Sequence, residues 1–157
     1  MPKLSAGIVL VRIVGRKPQF LLVHPGGPFW QRKDLGAWSI PKGEYATDED
    51  PLDAARREFE EELGIACAAT LLPLGSIRQA GGKVVTAWCA VGDIDVDTIV
   101  SNRFEIEWPP RSGRLQSFPE VDRAQFFDPT EAAIKIVAGQ AALLERAVTE
   151  LQDAGLL

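Results

Sequence analysis

The segment Pro41–Ile65, PKGEYATDEDPLDAARREFEEELGI, sets the tightest limits on what this chain can fold into. Asp50 is a favourable helix N-cap, Pro51 suits the first helical position, and Gly64 stands where a C-terminal cap belongs. Between them Leu52, Ala55, Phe59 and Leu63 recur at helical spacing, so a helix over Asp50–Leu63 buries that stripe. The same helix carries Glu58, Glu60, Glu61 and Glu62 within five positions. Like charges three and four residues apart repel on a helix, so the run costs stability unless a cation sits among them.

The flanking segments predict one mixed α/β domain, which suits 157 residues without a linker or internal repeat. Ser5–Val14 is apolar and rich in Ile and Val, as a largely buried strand is. Phe20–Val23 reads as a second strand, and the glycine- and proline-bearing HPGGPFWQRKDLGAW as a loop. Leu71–Arg78 and Val84–Val91 form a hairpin about QAGG. Phe104–Trp108 and Gln125–Phe127 are further strands, separated by a long loop of the kind that often carries function. A last helical region, capped by Asp128 or Thr130, extends to Leu151 with a break at Gly139.

Glu58, Glu61 and Glu62 project from one helix face, across roughly 100° of arc. Two readings are open: a solvated acidic face, or three hard oxygen ligands for Mg²⁺ or Mn²⁺. Arg57 and Glu49 bracket the cluster, and the Lys42–Gly43 turn can bring a backbone carbonyl near an ion; both features favour the metal site. An EF-hand is a poor fit, because its loop of alternating Asp and Asn is missing. The net charge of −5, with no basic block, argues against binding a nucleic-acid polymer. An acidic chain that handles phosphates needs a metal ion between the two anions. No apolar run reaches the roughly 18 residues of a membrane span. Cys67 and Cys89 lie in apolar contexts and fit buried thiols in a reducing cytoplasm.

The spacing Gly-x5-Glu-x7-Arg-Glu-U-x-Glu-Glu-x-Gly-U, with U aliphatic or aromatic, is met at every fixed position by Gly43, Glu49, Arg57, Glu58, Phe59, Glu61, Glu62, Gly64 and Ile65. In this the chain resembles the Nudix hydrolase family, and the order of strands on both sides extends the resemblance over nearly its whole length. The resemblance implies an α/β/α sandwich with a mixed sheet, hydrolysing a nucleoside diphosphate linked to another group. It further implies Mg²⁺ on Glu58, Glu61 and Glu62, with the Lys42 carbonyl as an additional ligand. Arg57 and Glu49 resemble the ion pair that orients the catalytic helix. Glu58 is the first candidate for general base; Glu120, in FPEVDRAQFF, is the second.

The motif names a reaction and not a substrate. WSIPKG resembles the approach to this motif in dinucleoside polyphosphate and diphosphoinositol hydrolases, where Lys42 would meet a distal phosphate; the diphosphoinositol reading favours a more basic pocket, of which the sequence shows little sign. A base needs an aromatic platform, for which Phe29, Trp30, Trp108 and Phe118 are candidates; Arg32, Lys33, Arg111 and Arg114 are candidate phosphate ligands. The single histidine, His24, reads as structural. Three functions follow: a dinucleoside polyphosphate hydrolase, a pyrophosphohydrolase of ordinary or oxidised mononucleotides, or a module that binds a nucleotide without turnover. In each the expected partner is a small nucleotide and not a membrane, with the protein a monomer or homodimer.

Overall fold

A computed structural model describes residues 2–157. Its chain runs β1 (Leu4–Val14), β2 (Lys17–Pro25), β3 (Lys42–Glu44), α1 (Pro51–Leu63), β4 (Leu72–Arg78), β5 (Val84–Val91), β6 (Arg103–Glu107), β7 (Leu115–Pro119), β8 (Val121–Phe127), α2 (Pro129–Lys135) and α3 (Ala141–Asp153). The main sheet has the order β4-β5-β1-β2-β8, with β3 also paired to β1. β1 and β5 are parallel and the other pairs antiparallel, so the sheet is mixed, as expected.

Alternation along β1 assigns its side chains to two cores. Ala6, Ile8 and Leu10 pack beneath Ala54, Ala55, Phe59 and Leu63 of α1. Val9 and Val11 face the opposite layer, with Ile136, Leu143, Ala147 and Leu151. The result is the α/β/α sandwich of the Nudix fold. In α1 the sequence stripe needs one correction: Ala54 is fully buried, whereas Leu52 is only half-buried.

One edge of β1 is shared, and that sharing makes room for the site. β3 pairs with Ser5–Gly7, and β2 with Val11–Val14 farther along. Beyond Phe20, β2 turns to β8, leaving a gap that segment 39–41 enters through Val23–Ser39 and Ile8–Pro41 backbone hydrogen bonds. β3 is too short to announce itself in the sequence. The long loop expected before Gln125 is also corrected. It contains β7, which pairs with β6 in a separate two-stranded ribbon, and the first half of β8. β7 is exposed over Leu115–Ser117 and half-buried only at Phe118 and Pro119, so it shows neither an apolar run nor alternation and reads as loop. The last helical region divides, as foreseen near Gly139, into α2 and α3; Asp128, not Thr130, caps α2 by accepting from Glu131 N–H at 2.8 Å. Among the described residues no helix is long and apolar enough to cross a membrane.

Candidate active site

Both ends of α1 are fixed locally. Asp50 accepts from Asp53 N–H at 3.1 Å, and Gly64 takes the left-handed conformation, φ 71°, donating to Glu60 C=O at 2.7 Å. The helix therefore presents its acids as a rigid wall of a cleft of about 470 Å³. Glu58, Glu61 and Glu62 line it together with Lys42, Gly43 and Glu44 of β3, Lys83, Asn102 and Glu120.

Arg57 gathers this wall. Its guanidinium grips Glu49 through two bonds of 2.9 and 3.0 Å, while Nη1 reaches Glu58 at 2.8 Å and Glu61 at 3.3 Å. The bond from Arg57 holds the Glu49 carboxyl below its ordinary range, and Glu49 in turn strengthens the protonation of Arg57. Glu58 behaves differently: burial raises its proton affinity despite the bond from Arg57. Glu62 accepts from Lys42 N–H at 3.1 Å, yet burial pushes its carboxyl up to about 8. Gly43 is required here, because a Cβ would fall 1.9 Å from Glu58 Oε2.

Among the described residues no three acidic, histidine or cysteine side chains already converge as a ligand set. Glu58 and Glu61 close on Arg57 instead. The donor set nevertheless fits a hard divalent cation. It consists of carboxylate oxygens, two of them destabilised as anions by burial, and the glycine cradle leaves Glu58 free to approach the β3 backbone.

Glu120 reaches the cleft by a backbone relay. Asn102 N–H donates to Glu61 C=O at 2.8 Å, and Glu120 N–H donates to Asn102 C=O at 2.9 Å. Gly26 N–H then donates to Glu120 C=O at 2.9 Å, tying the end of β2 to the same point. Glu120 thus faces α1 from the β7–β8 junction, not from a free loop.

Two lysines, Lys42 and Lys83, line the cleft with the acids. The half-buried Lys42 side chain loses proton affinity, first through desolvation and then through the nearby Lys83. Lys42 and Lys83, with Pro25 and Ser39, also line an adjoining chamber of about 400 Å³ that contains Trp30. Lys33 sits over the Trp30 ring at 5.0 Å.

Other candidates fall elsewhere. Phe118 lies on β7 against Phe104, at 6.0 Å between ring centroids, and Phe29 packs edge-on against Trp108 at 5.3 Å. Arg32, Arg111 and Arg114 are exposed and line neither space. His24 is structural: it is fully buried, with Nδ1 2.8 Å from Asp122 and Nε2 2.6 Å from Lys33 C=O. Cys67 and Cys89 are buried free thiols. Lys83, Asn102 and Gln79 are site-lining residues that sequence reasoning missed. Their partners are distant in sequence, and only the QAGG turn before Lys83 hinted at a fixed position.

Comparison with known proteins places these features in context. The family model of the NUDIX domain matches residues 1–147. A segment of 38 residues is 47% identical to the RNA pyrophosphohydrolase of Francisella tularensis, covering 24% of this chain and 24% of that protein. The chain thus spans about a quarter of the length of the curated relatives it matches. The Ap4A hydrolase of C. elegans superposes with a TM-score of 0.63 at 24% identity, over 96% of this chain and 98% of that one. The NUDIX domain of Shewanella oneidensis NrtR, solved with ADP ribose, gives 0.65 at 18% identity, over 96% and 89%. At these identities the two structures speak for the fold alone.

Proposed function

The chain belongs to the NUDIX family, and from that premise we propose that it hydrolyses a phosphoanhydride bond in a nucleoside diphosphate linked to a further group. A dinucleoside polyphosphate such as diadenosine tetraphosphate is the first substrate to test. One observation carries this reading: Glu58, Glu61, Glu62 and Glu120 line one cleft together with Lys42 and Lys83. Lys83 lies near enough to lower the proton affinity of Lys42, and a phosphate laid against both ammonium groups would relieve that repulsion.

Glu58, Glu61 and Glu62 would hold Mg²⁺ or Mn²⁺, with the Lys42 carbonyl beside them. Such an ion supplies charge neutralisation at phosphate oxygens and acidifies an attacking water. Glu58 would serve as the proton acceptor for the attacking water: its side chain is only 12% exposed, it sits on a capped helix, and burial raises its proton affinity. Arg57 holds Glu58 and Glu61 in register with Glu49. Glu120 assists from across the cleft, and the Lys42 and Lys83 ammonium groups bind oxygens of the outer phosphates.

The name of the C. elegans relative supports trying the dinucleotide first, and that of the Francisella relative supports pyrophosphohydrolase chemistry. A panel of dinucleoside polyphosphates, ordinary and oxidised nucleoside triphosphates and ADP ribose, incubated with Mg²⁺ and resolved by chromatography, decides among them. Preferential cleavage of the tetraphosphate is expected. Preference for triphosphates would favour the mononucleotide reading, and no turnover of any compound would leave a binding module. Calorimetric titration separately tests the metal. Glu61→Gln should lose most Mg²⁺ affinity while keeping the fold; an unchanged isotherm would return the acids to a solvated face.

A further inference from the structure

The chemical state of His24 follows from what surrounds it. The ring sits at the end of β2 with 0% of its side chain exposed. Nδ1 stands 2.8 Å from Asp122 Oδ1 on β8, and Nε2 stands 2.6 Å from the Lys33 carbonyl in the 26–36 loop. A backbone carbonyl only accepts, and so does an ionised carboxylate. Asp122 Oδ1 also faces a second donor, Arg123 Nε at 3.8 Å, as an acceptor does. Two acceptors, one at each ring nitrogen, require two N–H groups, which only the imidazolium carries.

The other charges nearby leave Asp122 as the counter-ion. Arg123 is 56% exposed and lies 5.2 Å over Trp38, whose ring meets His24 edge-on. Asp34 is taken up by Trp38 Nε1 and by Lys135 of α2, and the Lys33 ammonium lies over Trp30. A buried cation is costly unless it is paired and hydrogen-bonded, and His24 meets both conditions. Its bond to Lys33 bears on the loop. Hydrogen bonds from an ionised donor are roughly twice as strong as neutral ones, so the Lys33 carbonyl is held firmly. Lys33 N–H in turn donates to Trp30 C=O at 2.9 Å, passing the restraint to the residue that lines the chamber beside the cleft.

We infer that His24 is a positioning residue: a buried imidazolium, paired with Asp122, that pins the 26–36 loop to β8 and so keeps Trp30 in place beside the cleft. The part it plays for substrate rests on the hydrolase reading above; its charge and its hold on the loop do not. His24 is the single histidine of the chain, so one spectrum reads it. Nitrogen-15 NMR of the unaltered protein at neutral pH should show a proton on both ring nitrogens, and one bare nitrogen overturns the inference. Asp122→Asn removes the anion. The ring should then be neutral, with Nε2–H still donating to Lys33 and Nδ1 accepting from the new amide; two ring protons in that variant equally overturn the inference. Hydrogen exchange reads the pin. His24→Gln, whose amide carries both protons on one nitrogen, should speed exchange of the 26–36 amides about tenfold, the weight of one charge-assisted bond. Asp122→Asn should leave those amides near their original rate. Unchanged exchange in His24→Gln overturns the pin, and should that variant not fold, the two spectra still decide. On the preferred compound of the substrate panel, His24→Gln should raise KM more than it lowers kcat. A loss confined to kcat overturns the positioning of Trp30. Spectra and exchange measure no turnover, so a panel without cleavage sinks the hydrolase reading alone, and a neutral ring sinks this inference alone.

Discussion

The two walls of the cleft face each other but are built in opposite ways. The α1 wall comes from consecutive sequence: its three inward acids lie within five positions, and Arg57 reaches back to Glu49 and to the Glu44 carbonyl. It is capped at both ends and seated on the buried Phe59 and Leu63. The facing wall collects Lys42 from β3, Lys83 from the β4–β5 turn and Glu120 from the β7–β8 junction, and Trp30 from the 26–36 loop lines the chamber that adjoins it. Its turn contains Gly81 and Gly82, each at φ 88°, and its aromatic groups are partly exposed. Under the proposed function, chemistry falls to the rigid local wall and substrate choice to the convergent one.

The strongest way to break this division is at the general base. Glu58→Gln should lower turnover by about 10²–10⁴-fold at every pH and every Mg²⁺ concentration. Glu120→Gln should be milder and partly rescued by high Mg²⁺, as suits an auxiliary group on the facing wall. The opposite pattern in a pH–rate series would move the base across the cleft. Arg57→Ala comes next. Removing a group that orients ligands without being one typically costs about 10–100-fold, so kcat should fall more than KM rises. A change confined to KM would make Arg57 a phosphate ligand and end its assignment to the chemical wall.

The same contrast explains what the sequence disclosed. Helix caps, the acid face and the Arg57–Glu49 pair are relations over 16 residues or fewer, and spacing alone reveals those. The α/β class followed from the segment patterns, because long apolar strands such as β1 are unambiguous, whereas the mixed sheet and the sandwich came from the family resemblance. Lys83 and Gln79 were invisible for a different reason. Their significance depends on Lys42, Trp30 and Gly139, which the fold brings near from distant positions. Phe118, a candidate platform in an apparent loop, lies on β7, and the pairing of β7 with β6 sets its ring beside Phe104, a neighbour that spacing alone does not disclose.

A third test uses the buried acid itself. Burial raises folded Glu62 to about 8, whereas in the unfolded chain a glutamate titrates near ~4.3. Between those values the folded state binds more protons, so stability must fall as pH rises. The metal-free protein should therefore lose Tm from pH 5 to pH 8, at roughly 2–4 °C per kcal/mol, and Glu62→Gln should flatten the slope. Glu49, held low by Arg57, contributes with the opposite sign and only in acid, losing its stabilisation as pH falls below the ordinary carboxylate range. An unchanged slope in Glu62→Gln would mean that the α1 wall is more hydrated than its geometry indicates.

The smallest effect is expected at the edge of the facing wall. Phe29 meets Trp108 edge-on at 5.3 Å, tying the loop that carries Trp30 to the β6–β7 ribbon. Phe29 is 62% exposed, so truncation removes little burial and chiefly the ring contact, worth about 0.5–1.5 kcal/mol. Phe29→Ala should thus lower Tm by only a few degrees, and a double-mutant cycle with Trp108→Ala should return a coupling of about 1 kcal/mol. The kinetic outcome bears on the comparison more directly. If the walls are separable, loosening this loop raises KM for nucleotides and leaves kcat alone, because nothing in the contact touches α1. A fall in kcat at constant KM would show that strain in the loop reaches the acids, through the bond from Gly26 to Glu120 and the Asn102 relay. Chemistry and substrate choice would then be coupled, and the division between the walls would fail.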